Sequence, residues 1–183
     1  SRKLARSSTE TKNDALRAIA RALEESHAEV LEANRADYAE ARDGGMDEAM
    51  LDRLFLDESR LSAMAEDVHT VAALPDPVGE VLEARTLPNG LAVSRRRVPL
   101  GVIAAVYESR PNVTIDISVL CLKSGNAIIL RGGHESIRSN AALARLVQTA
   151  VAGAGLPPDA VQMIESADRD IVLQMLRYHG AID

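Results

Sequence analysis

Two short polar runs carry the chemistry this sequence offers: Tyr107-Glu108-Ser109-Arg110-Pro111-Asn112 and Arg131-Gly132-Gly133-His134-Glu135. Each sets one fixed positive charge among hydroxyl, amide, imidazole or carboxylate groups. The second also holds a glycine pair, where backbone can approach a ligand closely. A guanidinium presents a planar fork of donors that matches two oxygens of a phosphate or carboxylate at once. The expected chemistry is capture of an anionic, phosphorylated ligand, with a nucleotide first among the candidates.

Each run stands at the end of an apolar stretch. Val102–Val106 follows Pro99-Leu100-Gly101, residues 127–130 follow Ser124-Gly125-Asn126, and both read as strands buried on two faces. Between them Val113, Ile117, Leu120, Cys121 and Leu122 recur at three- and four-residue steps, the core stripe of a helix. Strand, helix, strand at these lengths is a parallel crossover unit. Ligands of open α/β sheets bind beyond the carboxyl ends of the strands, which is where both polar runs fall.

Residues 1–75 read as helices. Ser8-Thr9 opens one with Ala15, Leu16, Ile19, Ala20 and Leu23 on a single face, and Ser26-x-x-Glu29 is a capping box for a second that Gly44-Gly45 ends. A short third covers residues 47–54. Asp57 caps a fourth, with Leu61, Met64, Ala65, Val68, Val71 and Ala72 as its stripe, and Pro75-Asp76-Pro77 stops it. Residues 80–87 and 91–98 flank Pro88-Asn89-Gly90, a hairpin signal because Asn-Gly accepts the positive φ angles of a tight turn. Beyond Glu135 a helix over residues 136–153 with Ala142, Leu143, Leu146, Val147 and Ala150 buried, a strand at 160–164 and a helix at 168–178 are expected. Residues 180–183 reach the point where another buried strand should begin, which reads as a fragment of a longer chain.

Composition narrows the class by exclusion. The 183 residues, 46% hydrophobic, are enough for one core with appendages. A net charge of -6 with mixed signs and an aromatic content of 2% argue against a nucleic-acid partner, leaving little to grip phosphates or stack on bases. No apolar run approaches the roughly 18 residues a membrane span needs, no signal-peptide pattern opens the sequence, and one cysteine cannot form an intrachain disulfide. A cytosolic protein without nucleic-acid or membrane partners is expected. His27, His69 and His179 lack metal-ligand spacing, so no metal is assigned, and Gly153-Ala154-Gly155 follows a helix, where termination is expected instead of a dinucleotide fingerprint.

Several segments resemble a known family. The Pro99-x-Gly101-Val102 strand, the helix ending in Gly125-Asn126 and the second strand ending in a basic residue are similar to the nicotinamide-binding domain of the aldehyde dehydrogenase superfamily. Within it, residues 95–102, Ser109-Arg110-Pro111-Asn112-Val113-Thr114, Arg131-Gly132-Gly133, Met50-Leu51-Asp52-Arg53-Leu54 and Asp76-Pro77-Val78-Gly79 resemble the gamma-glutamyl phosphate reductase family.

The resemblance implies an α/β fold: a parallel Rossmann-like sheet with helices on both faces over 99–183, a helical N-terminal extension over 1–75, and a protruding β-hairpin over 76–98. It implies NADPH-dependent reduction of glutamyl 5-phosphate to glutamate 5-semialdehyde in proline biosynthesis. The catalytic cysteine would lie in a separate domain farther along, with Cys121 an inert core residue. Another aldehyde or acyl dehydrogenase and a non-catalytic module of the same fold are the alternatives.

For the cofactor, the resemblance implies Tyr107, Glu108, Arg131, Gly132, Gly133, His134 and Glu135, with Arg131 standing where the superfamily has a ribose-contacting Lys and suited to an NADP 2′-phosphate. For the substrate it implies Ser109, Arg110 and Asn112. Arg110 would hold the leaving phosphate or the substrate carboxylate; Asn112 would either supply the oxyanion contact or cap the helix that begins there. Counted back from Gly125-Asn126, the superfamily's oxyanion position falls nearer Glu108. The hairpin would pair with a second subunit in a homo-oligomer or fold on its own domain. Glutamate 5-kinase is a further candidate partner.

Overall fold

The structure, a computed structural model, describes residues 1–183 except Ser26, Arg169 and His179. Four helices come first: α1 (Thr9–Glu25), α2 (Ala28–Asp43), α3 (Glu48–Leu54) and α4 (Glu58–Ala73). The Ser8 hydroxyl accepts from the Thr11 amide at the head of α1, and the helix buries the expected Ala15, Leu16, Ile19, Ala20 and Leu23 together with Lys12. Each fully buried leucine or isoleucine there contributes about 1.5–3 kcal/mol. Asp47 and Asp57 cap α3 and α4 through the Met50 and Arg60 amides at 3.0 and 2.8 Å. Ser26, half of the expected capping box, lies outside the described residues. α2 ends as anticipated at Gly44-Gly45, where Gly45 takes φ 81°.

Strands β1 (Val81–Thr86) and β2 (Ala92–Arg96) form an antiparallel ribbon exposed along both strands. Its turn differs from the expected tight turn: Gly90 alone has positive φ, Gly90 N–H donates to the Leu87 carbonyl and Leu87 N–H to that of Leu91. That is a three-residue loop with a left-handed glycine, so Asn89 needs no unusual backbone. The ribbon's root is held by Asp76, which accepts from Lys12 Nζ, Thr9 Oγ1 and Val78 N–H. Burial alone would raise that carboxyl's pKa, but these three bonds together hold it below the ordinary value.

The α/β unit runs β3 (Val102–Val106), α5 (Pro111–Lys123), β4 (Ala127–Arg131), α6 (Ile137–Gly153), β5 (Val161–Met163), α7 (Asp170–Arg177), with a parallel sheet of order β3-β4-β5. α5 and α6 pack between the sheet and the N-terminal helices. Ile103 and Ala105 face that core, while Ala104 and Val106 face α7. β4 is buried as expected, but β3 is half exposed because it borders the three-stranded sheet and only α7 lies over its other face. At its outer edge Asp183 N–H donates to the Val102 carbonyl.

The buried stripe of α5 is turned relative to expectation. Thr114, Ile115, Ser118, Val119, Cys121 and Leu122 point inward, whereas Leu120 is exposed and Val113 and Ile117 only half buried. Thr114 and Ser118 are small enough to pass between two packed layers; Ser118 bonds the Thr114 carbonyl at 2.6 Å, and the Thr114 hydroxyl reaches Tyr107 and Asn140. α6 ends at Gly153, and Gly155, at φ 82°, belongs to its terminus.

Candidate functional site

The two polar runs meet. Tyr107 N–H extends the β3-β4 pairing by donating to the Arg131 carbonyl at 3.1 Å, and the Ser109 hydroxyl donates to the Glu135 carboxylate. A crevice of about 290 Å³ lies between them, lined by Tyr107, Glu108, Ser109, Arg131, Gly133, His134 and Glu135, with Met50 of α3 and Ala167 closing it. A larger groove of about 650 Å³ opens on the other side of His134 and Glu135. Its carboxylates Asp37, Glu40, Asp47 and Glu135 outnumber Arg138, which disfavours an anionic ligand there.

Arg131 is the unusual group. It is 9% exposed; Nη1 donates to the Gly132 carbonyl at 3.1 Å, Nη2 to that of Ala167 at 3.2 Å, and Nε is buried without a partner. Among the described residues no carboxylate lies within ion-pair distance of it. A buried cation whose partners among the described residues are two carbonyls carries a desolvation cost, which an incoming anion relieves.

The glycine pair beside it answers to a constraint the sequence reading did not include. A methyl group on Gly132 would overlap the Asn140 amide, and one on Gly133 would overlap the Ser109 hydroxyl. Neither glycine has positive φ. Their smallness lets the chain's own side chains close on the loop, and Tyr107 joins them. Its hydroxyl lies 2.7 Å from Thr114 Oγ1, and burial, against that bond, pushes its pKa up to about 12. The ring borders the crevice while the hydroxyl is committed inside.

On the first loop, Glu108 sits between two guanidinium groups. Arg110 Nε is 2.7 Å from Glu108 Oε1 and Arg53 Nη1 is 3.9 Å from Oε2. The Arg110 N–H is not aimed at that oxygen, so Nε counts as buried without a hydrogen bond although the charges touch. Arg53, on α3, is a neighbour of this loop to which the sequence reading gave no role; its only signal is its place in the Met50-Leu51-Asp52-Arg53-Leu54 motif. The capping role considered for Asn112 is wrong. α5 begins at Pro111 with Arg110 as the preceding residue and no side-chain cap, so Asn112 lies inside the first turn, its amide donating to Asp116 at 3.2 Å.

The start of α6, directly after the second loop, is taken. Asp37 of α2 accepts from the Ser139 amide at 2.8 Å and its hydroxyl at 2.7 Å, filling with a carboxylate the place where a helix N-terminus would receive a phosphate. The Ser139 amide is thus closed to an anion, and the fixed positive charges of this region are those of the arginines. Cys121 is 5% exposed, and burial pushes its thiol up to about 11, so it is no nucleophile. His134 is exposed beside Glu135, with Nδ1 at 3.3 Å from the carboxylate.

No family model matches the chain. It is 55% identical over all 183 residues to a gamma-glutamyl phosphate reductase of Dehalococcoides mccartyi, covering 43% of that protein. The chain resembles the N-terminal part of gamma-glutamyl phosphate reductases. It spans less than half the length of the curated relatives it matches. The crystal structure of the reductase from Thermotoga maritima superimposes with a TM-score of 0.97 and 42% identity, over 99% of this chain and 44% of that one. The fold alone is shared with a probable aldehyde dehydrogenase from Listeria monocytogenes, at a TM-score of 0.73 and 16% identity over 97% of this chain and 36% of that one.

Proposed function

We propose that this chain is the cofactor platform and part of the substrate mouth of an enzyme that reduces L-glutamyl 5-phosphate to L-glutamate 5-semialdehyde and phosphate with NADPH, a step of proline biosynthesis in the cytosol. The observation that carries the reading is Arg131, a buried guanidinium with no counter-charge among the described residues, at the carboxyl end of a central parallel strand. It receives the adenosine 2′-phosphate, with the Gly132-Gly133-His134-Glu135 backbone along the ribose. Bound NADPH supplies the hydride. Tyr107 contributes a ring wall, and its hydroxyl keeps its proton, held on Thr114 Oγ1.

Arg110, with Arg53 beside it, holds an anionic group of the substrate, and Glu108 keeps both guanidinium groups in place until it arrives. The thiolate that accepts the acyl group as phosphate leaves must come from outside these residues, since Cys121 is sealed in the core. The exposed ribbon of β1 and β2 reaches a second copy in a homo-oligomer. Glutamate 5-kinase, which makes the labile acyl phosphate, is the proposed upstream partner.

The test is turnover by the full-length protein. NADPH is expected to be oxidised only when glutamyl phosphate is added. Arg110→Lys keeps the charge but loses the fork, so kcat/KM for glutamyl phosphate should fall about tenfold or more while NADPH affinity holds. A folded wild-type protein that leaves NADPH unoxidised contradicts the activity, and wild-type kinetics in Arg110→Lys removes that residue from the substrate.

A further inference from the structure

Beneath the crevice a hydrogen-bonded chain crosses from the end of β3 to the loop after β4, and every link is polar. Tyr107 donates to Thr114 Oγ1 at 2.7 Å, because the Thr114 proton is given to Asn140 Oδ1 at 3.1 Å. Asn140 Nδ2 donates to Ser136 Oγ at 2.9 Å, and Ser136 Oγ donates to the Gly133 carbonyl at 3.3 Å. Thr114, Ser136 and Asn140 are fully buried. Buried polar groups at this depth are either all satisfied or costly, so the chain has one arrangement.

We propose that Asn140 is the positioning residue of the Arg131-Gly132-Gly133 loop, setting how far the Arg131 fork stands from a bound phosphate. Asn140 acts on the loop at two points, one directly and one through Ser136. Its amide fills the space a side chain at Gly132 would need, and through Ser136 it holds the Gly133 carbonyl. Arg131 in turn bonds the Gly132 carbonyl through Nη1, so displacement of Gly132 moves the guanidinium. Asn140→Ala would remove both the packing atom under Gly132 and the donor to Ser136, letting the loop sink. Asn140 acts through Arg131 and meets no ligand itself.

This rests on the assignment of Arg131 to the NADPH phosphate, and the experiment separates the two. In the full-length protein, Kd values for NADPH and NADH are measured for wild type, Arg131→Ala, Asn140→Ala and Ser136→Ala, together with Tm. Asn140→Ala is expected to lower the preference for NADPH over NADH about tenfold, the equivalent of one misplaced charge-assisted bond, and Ser136→Ala by a smaller factor. A purely structural asparagine would lower Tm and leave the preference untouched. An unchanged preference in Asn140→Ala, where Arg131→Ala abolishes it, overturns the positioning role. If Asn140→Ala fails to fold, Ser136→Ala decides by the same criterion. An unchanged preference in Arg131→Ala overturns the phosphate assignment, and the proposal with it.

Discussion

At the scale of single residues, the recurrent theme is polar side chains buried among small neighbours, and their charge states have measurable consequences. Asp116 on α5 has its pKa raised, first by burial and then by the Asp67 charge on α4, against the bond from Asn112. A carboxyl whose folded pKa exceeds its unfolded value adds stability when protonated and loses that contribution as pH rises through the folded pKa. Asp116→Asn is therefore expected to raise Tm at pH 7, with the advantage vanishing below about pH 4, the unfolded value. A thermal scan over pH checks this; an equal or lower Tm at pH 7 contradicts it. Which residues would gather at the crevice was legible because strand ends declare themselves in sequence. What each does there was not. The glycine pair reads as an approach for a ligand until Asn140 and Ser109 are seen filling its empty space. Asn140 itself, in a helix that also carries Arg138, Ser139, Arg145, Gln148 and Thr149, gives no sign that its partner is a loop.

At the scale of elements, caps and periodicity carried most of the fold. Asp47, Asp57, Gly45 and the α1 stripe stand where local chemistry requires them. The exceptions are elements whose surroundings are set by tertiary contact. α5 is packed on two sides, so its apolar pattern no longer identifies the inward face, and small hydroxyl residues take that face. The ribbon β1-β2 is the converse case, a regular element without a surface to rest on. Val81, Leu82, Leu91 and Val93 are all more than 40% exposed on it, and an isolated two-stranded ribbon is marginal in water. Replacing residues 81–96 by a short glycine-serine link in the full-length protein is expected to lower its oligomeric state in sedimentation velocity. An unchanged assembly would show that the ribbon serves its own domain.

At the scale of the whole molecule, the N-terminal helices are part of the site's construction. α1 and α4 press α5 and α6 onto the sheet, α2 meets the start of α6 through Asp37, and α3 brings Met50 to the crevice and Arg53 to Glu108. With the Ser139 amide of α6 taken by Asp37, the proposed recognition of a phosphorylated cofactor rests on the buried Arg131 guanidinium. The most direct measurement is titration of NADPH and NADH into full-length wild type and Arg131→Ala. Arg131→Ala is expected to weaken NADPH by about 1.5–3 kcal/mol, the contribution of a charge-assisted bond, and NADH far less. Equal losses for the two cofactors, or none, would contradict it.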